Sequence, residues 1–103
     1  MVTHIGLLTL KEGTTDESRE AIGQGLLGLL GQINGLTRVQ IGNDLGLKEG
    51  NGNVIFLLTF ESEEAWRAYG AHPAHKAVIA EAIAPVIAST AFVQIDGYRE
   101  AQL

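Results

Sequence analysis

Two hydrophobic rhythms alternate along the chain, one with the period of a strand and one with that of a helix. Val2 to Leu10 is rich in Val, Thr, Ile and Leu and stops at Lys11-Glu12-Gly13, which predicts a strand. His4, Gly6, Leu8 and Leu10 share one side of it and Ile5, Leu7 and Thr9 the other. Neither side looks solvated, so this strand belongs inside a sheet. Thr15 or Asp16 can cap a following helix, with Glu17 and Glu20 near the positive end of its dipole. Ile22, Leu26, Leu29, Leu30 and Ile33 form its apolar stripe, and Gly35 ends it. Gly23, Gly25, Gly28 and Gly31 each cost roughly 1 kcal/mol relative to Ala in a helix interior, so packing must hold the element.

Leu36 to Leu45 alternates, with Thr37, Val39 and Ile41 on one face and Arg38, Gln40 and Asp44 on the other. Lys48 to Asn53 is a loop by composition, and its Asn51-Gly52 pair predicts a hairpin and an antiparallel return. Val54 to Phe60 is almost continuously apolar, a second central strand. Glu61-Ser62-Glu63-Glu64 starts the next helix with Ser62 as its cap. Gly70 permits a break, and Pro73 suits the first turn of a new helix striped by Val78, Ile79, Ile83, Val86 and Ile87. Thr90 to Tyr98 closes the chain as a strand, with Ala91, Val93 and Ile95 on one side and Thr90, Phe92, Gln94 and Asp96 on the other.

The order β-α-β-β-α-β defines an α+β, ferredoxin-like fold over residues 1–103: a four-stranded antiparallel sheet with the first and third strands inside. Right-handed crossovers put the helices on one face. The other face, built from members of Ile5, Leu7, Ile55 and Leu57 or from their opposite-face neighbours, is too apolar to stay bare, which predicts a homodimer through the open sheet face.

Bulk properties narrow the partners. With a formal net charge of -5 and seven Lys plus Arg scattered along the chain, there is no basic footprint for nucleic acid. No apolar run is long enough for a membrane span, and the N-terminus has no signal-peptide pattern. Zero Cys excludes disulfides and thiolate zinc sites and leaves a cytoplasmic location as the expectation.

Scarce chemistry is concentrated in Trp66 to His75, which holds the only Trp, one of two Tyr, two of three His and one of two Pro. His75 is the best general-base candidate, because an imidazole near its ordinary pKa accepts a proton at neutral pH. Tyr69 can donate a hydrogen bond to a developing oxyanion, and His4 can hold the tautomer of the base or bind a substrate oxygen. Trp66 and His72 complete the candidate ligand-binding set, although Trp66 suits a core position and His72 a helix start. His4, His72 and His75 lack the spacing of a usual metal site, so neither a metal nor another cofactor is expected.

His4, Phe60-Glu61-Ser62, Tyr69 and His72-Pro73-Ala74-His75 together resemble the stress-responsive dimeric α/β-barrel (Dabb) domain, a likeness covering nearly the whole chain. The resemblance implies ferredoxin-like subunits whose sheets close into a barrel across a dimer. Some members are stress-associated proteins without a known reaction, and others are polyketide cyclases. Carried over residue by residue, the cyclase-type site falls on His4, Tyr69 and His75. Two readings follow: a dimer that binds a small apolar or aromatic carbonyl ligand, or a cofactor-independent cyclase-like enzyme. A connected cavity lined by all three side chains favours the enzyme; a filled core there favours the binding or stress-associated dimer without turnover.

Overall fold

The computed structural model describes residues 1–103. Its elements are β1 (Val2–Leu10), α1 (Asp16–Leu27), β2 (Leu36–Asn43), β3 (Val54–Phe60), α2 (Glu63–Ala71), α3 (Pro73–Val78), a π-helical turn (Ile79–Ile83) and β4 (Ile87–Ile95). The sheet order is β2-β3-β1-β4 with every neighbour antiparallel, so the two strands apolar on both faces are the inner ones.

Period-two alternation decides which side chains meet the helices. Leu8 and Leu10 from β1 and Val54, Phe56, Leu58 and Phe60 from β3 are buried against Ile22, Leu26 and Leu29 and against Tyr69 and Ile83. Each fully buried apolar side chain contributes about 1.5–3 kcal/mol. The opposite face stays open: Leu7 is 42%, Ile55 40% and Val93 50% exposed.

Local chemistry sets the helix starts as expected. Thr15 accepts the Ser18 N–H and Ser62 accepts the Ala65 N–H. Three expectations need correction. First, α1 closes at Leu27 with Gly28 as its C-cap, not at Gly35. Gly31 follows in a left-handed conformation, which turns Leu30 out to 52% exposure while Leu29 and Ile33 stay buried. Second, β2 falls short of Leu45, although the expected loop and antiparallel return into β3 are present. β2 stops at Asn43, the Asp44 N–H donates to the Asn53 carbonyl at 2.8 Å, and Gly46 and Gly50 take the left-handed positions. Gly52 instead lies against Leu7, where an added Cβ would stand 2.6 Å from that side chain, and the Asn53 side chain accepts the Leu10 N–H. Third, β4 runs from Ile87 to Ile95 rather than from Thr90 to Tyr98. A register shift between Thr9 and Leu10 lets β1 pair with Ile87, and the Lys11 N–H reaches the Val86 carbonyl at 2.7 Å.

Candidate functional site

The site grows out of the break between α2 and α3. Pro73 has no N–H, and His72 adopts an extended conformation that stops α2 and caps α3. In a continuous helix the Gly70 carbonyl would accept the Ala74 N–H. That N–H goes to His72 Nδ1 instead, at 3.0 Å, which leaves the Gly70 carbonyl free. His75 Nδ1 takes it at 3.3 Å. A carbonyl only accepts, so the His75 proton sits on Nδ1 and Nε2 keeps its lone pair. The His75 ring then lies 4.1 Å from the Tyr69 ring, centroid to centroid.

His4 reaches the same region from β1. Gly6, next on that strand face, has no side chain, and an added Cβ would be 2.2 Å from the Phe56 ring. The missing Cβ lets Phe56 lie across β1. His4 stacks on Phe92 at 5.5 Å and 19° and is tilted against Phe56 at 5.5 Å, Tyr69 at 5.9 Å and Trp66 at 6.1 Å. Its Nδ1 pairs with the Gln94 side-chain nitrogen at 2.9 Å.

Between sheet and helices these residues enclose a cavity of about 680 Å³, open on one side and mostly apolar. His4, Trp66, Tyr69 and His75 all line it, together with Phe56 and Phe92 from the sheet and Ile79 and Ile83 from the π-helical turn. The turn is marked by the Ala84 N–H donating to the Ile79 carbonyl five residues back. Among side chains that are not exposed, the one fully sealed polar atom without a partner is Arg19 Nε. The Tyr69 hydroxyl, His75 Nε2 and His4 Nε2 also have no protein partner, so each keeps accessible surface.

Of the five candidate residues, four meet at the cavity and His72 does not line it; its ring nitrogen is spent on capping α3. His4 does not hold the tautomer of His75, since the Gly70 carbonyl does that. No group of three or more His, Asp or Glu side chains is arranged to hold a metal ion. Phe56, Phe92, Thr90 and Gln94 were absent from the candidate set. The β4 alternation had put Thr90, Phe92 and Gln94 on one face, and only the β1–β4 register, Gly6 opposite Phe92 and His4 opposite Gln94, reveals that it is the face carrying His4.

Burial adjusts the protonation states. It lowers the pKa of His4, with a smaller push from His75. It lowers His75 as well, opposed by the hydrogen bond to Gly70 and aided by His72 and Lys76. It raises the Tyr69 hydroxyl above its ordinary value. At neutral pH the cavity therefore holds two uncharged imidazoles and a protonated phenol.

A ferredoxin-like α+β subunit with an apolar, His- and Tyr-lined cavity between its sheet and helices is the class that this geometry defines. The chain belongs to the stress responsive A/B barrel domain family (Dabb), whose model matches residues 2–96. It is 34% identical over 76 residues to the stress-response A/B barrel domain-containing protein HS1 of Arabidopsis thaliana, covering 72% of this chain and 70% of that protein. A dimeric ferredoxin-like protein of unknown function from Thermobifida fusca is 33% identical with a TM-score of 0.80, covering 91% of this chain and 88% of that one. A hydroxynitrile lyase from Passiflora edulis shares the fold at 15% identity, with a TM-score of 0.78 over 95% of this chain and 96% of its own.

Proposed function

We propose that this chain acts as a cytoplasmic homodimer, joined through the open sheet face, that binds a small apolar or aromatic carbonyl compound in the cavity beside α2. The observation that carries this reading is a mostly apolar space onto which a phenol hydroxyl and two ring nitrogens open without protein partners. Apolar walls supply affinity, and the few polar groups select for a carbonyl. The exposed Leu7, Ile55 and Val93 support the dimer, as does the dimeric state of the Thermobifida fusca relative. No helix is long and apolar enough to cross a membrane. Trp66, the single Trp, lines the cavity and reports on it. Titration with 4-hydroxyacetophenone and with 2-acetylnaphthalene is expected to quench Trp66 fluorescence saturably. Absence of a saturable change with both probes sinks the reading.

A second reading, a cofactor-independent, cyclase-like enzyme, is favoured by a cavity that His4, Tyr69 and His75 line together and by the free Nε2 lone pair of an uncharged His75. His75 Nε2 removes a proton from the carbon beside a carbonyl, the C–H electron pair forms the enolate, and the Tyr69 O–H and His4 Nε2–H hydrogen-bond to its oxygen. Proton return to carbon reverses the step. Nuclear magnetic resonance of 2-acetylnaphthalene in heavy water measures this directly as deuterium uptake at the acetyl methyl. Uptake faster than in buffer that disappears in His75→Ala is expected; uptake no faster than in buffer rejects the enzyme reading.

A further inference from the structure

We propose that Gln94 is a positioning residue: its side-chain amide on β4 fixes the His4 imidazole with its proton on Nε2. The cavity then presents an N–H donor from β1 and a bare lone pair from α3. This rests on the reading of the cavity as a binding site and adds to it a direction for the ligand.

The amide nitrogen of Gln94 can only donate, so the His4 Nδ1 that faces it at 2.9 Å must accept. The ring proton of neutral His4 is then on Nε2. Turned over, the amide would present its oxygen and select the other tautomer; the orientation found here presents the nitrogen. The four rings around His4 are Phe56, Phe92, Trp66 and Tyr69, and none of them hydrogen-bonds to it. Gln94 lies directly opposite His4 in the β1–β4 register, so the strand pairing itself delivers the amide. The choice of residue type matters chemically. A carboxylate at this place accepts rather than donates, and moves the His4 proton to Nδ1.

The opposite bond fixes His75. Its Nδ1–H donates to the Gly70 carbonyl, and its Nε2 is left as an acceptor. Two uncharged imidazoles in opposite tautomers make the cavity polar in one sense. A carbonyl oxygen is drawn towards His4, and a hydroxyl or an acidic C–H towards His75. Two imidazoles in the same tautomer offer no such direction.

The test reads the tautomers without a ligand. Two-bond proton–nitrogen correlation spectra of the nitrogen-15-labelled protein distinguish protonated from bare ring nitrogens. His4 is expected with Nδ1 bare and Nε2 protonated, and His75 with the reverse. Gln94 is exposed on an edge strand, so substitutions there leave the fold intact. Gln94→Met is expected to move both His4 nitrogens towards averaged shifts, and Gln94→Glu to convert Nδ1 to the protonated type. In Gln94→Glu the affinity for 4-hydroxyacetophenone falls about two- to thirteen-fold, the loss of one hydrogen bond. A wild-type His4 protonated on Nδ1, or His4 shifts unmoved in both variants, overturns the role of Gln94. Those results leave the cavity's binding role standing. Conversely, expected tautomers with no saturable ligand titration overturn the binding reading alone.

Discussion

Replacing Tyr69 by Phe separates a binding role for its hydroxyl from a structural one. The residue is only 5% exposed, and its ring packs on Phe60 at 5.2 Å and on His75 at 4.1 Å. Phe keeps all of that packing and removes one atom. Because the hydroxyl has no protein partner, its loss leaves no donor or acceptor unpaired, and stability should move by less than about 0.5 kcal/mol. A ligand carbonyl that accepts from Tyr69 loses one neutral hydrogen bond, about 0.5–1.5 kcal/mol, which is an affinity drop of about two- to thirteen-fold. Urea unfolding measures the first quantity through an unchanged midpoint at unchanged slope. Trp66 fluorescence titration with 4-hydroxyacetophenone measures the second. A stability loss above about 1 kcal/mol together with unaltered affinity would show that the hydroxyl ties the fold together and does not face a ligand.

Three further outcomes follow from the same geometry. Gly6→Ala places a Cβ 2.2 Å from the Phe56 ring, so it should cost about 1–3 kcal/mol in urea unfolding and weaken probe binding by pushing Phe56 into the cavity; unchanged stability contradicts the close approach. The folded protein holds His4 and His75 below their ordinary pKa of 6.5, so between those lowered values and 6.5 the unfolded chain binds more protons. Their contribution is fully present above pH 6.5 and is lost as the pH falls through the lowered values. Replacing His75 by Gln should flatten that fall in urea midpoints taken from about pH 8 to about pH 5, and parallel wild-type and variant curves refute it. Val93→Glu puts a charge on the open face at a 50%-exposed position of edge strand β4, and sedimentation velocity should show a dimeric wild type and a monomeric variant; equal sedimentation of the two argues against this interface.

What could be read from the residues alone divides by how far apart in the chain the interacting groups lie. The Thr15 and Ser62 caps, the Gly70-Pro73 break and the central place of β1 and β3 depend on neighbours or on alternation, and all were legible. Tyr69 and His75 lie six residues apart, and the break brings their rings together, so their pairing was legible too. Gln94 and His4 are 90 residues apart, and only the β1–β4 register places them opposite one another. Phe92 belongs with them for the same reason.

The same distance rule explains why the role given to His4 had to change. A motif containing three histidines and a tyrosine invites a chain of imidazoles in which one orients the next. Backbone geometry had already satisfied that requirement locally: the helix break that presents His75 also frees the Gly70 carbonyl that holds its tautomer. His4 is thereby released from supporting the base: its Nδ1 is paired with Gln94, and its ring lines the cavity with Nε2 free of protein partners. One local hydrogen bond, at His75, and one long-range one, at Gln94, thus remove from His4 the task of orienting the base and leave Nε2 as its unpaired ring nitrogen.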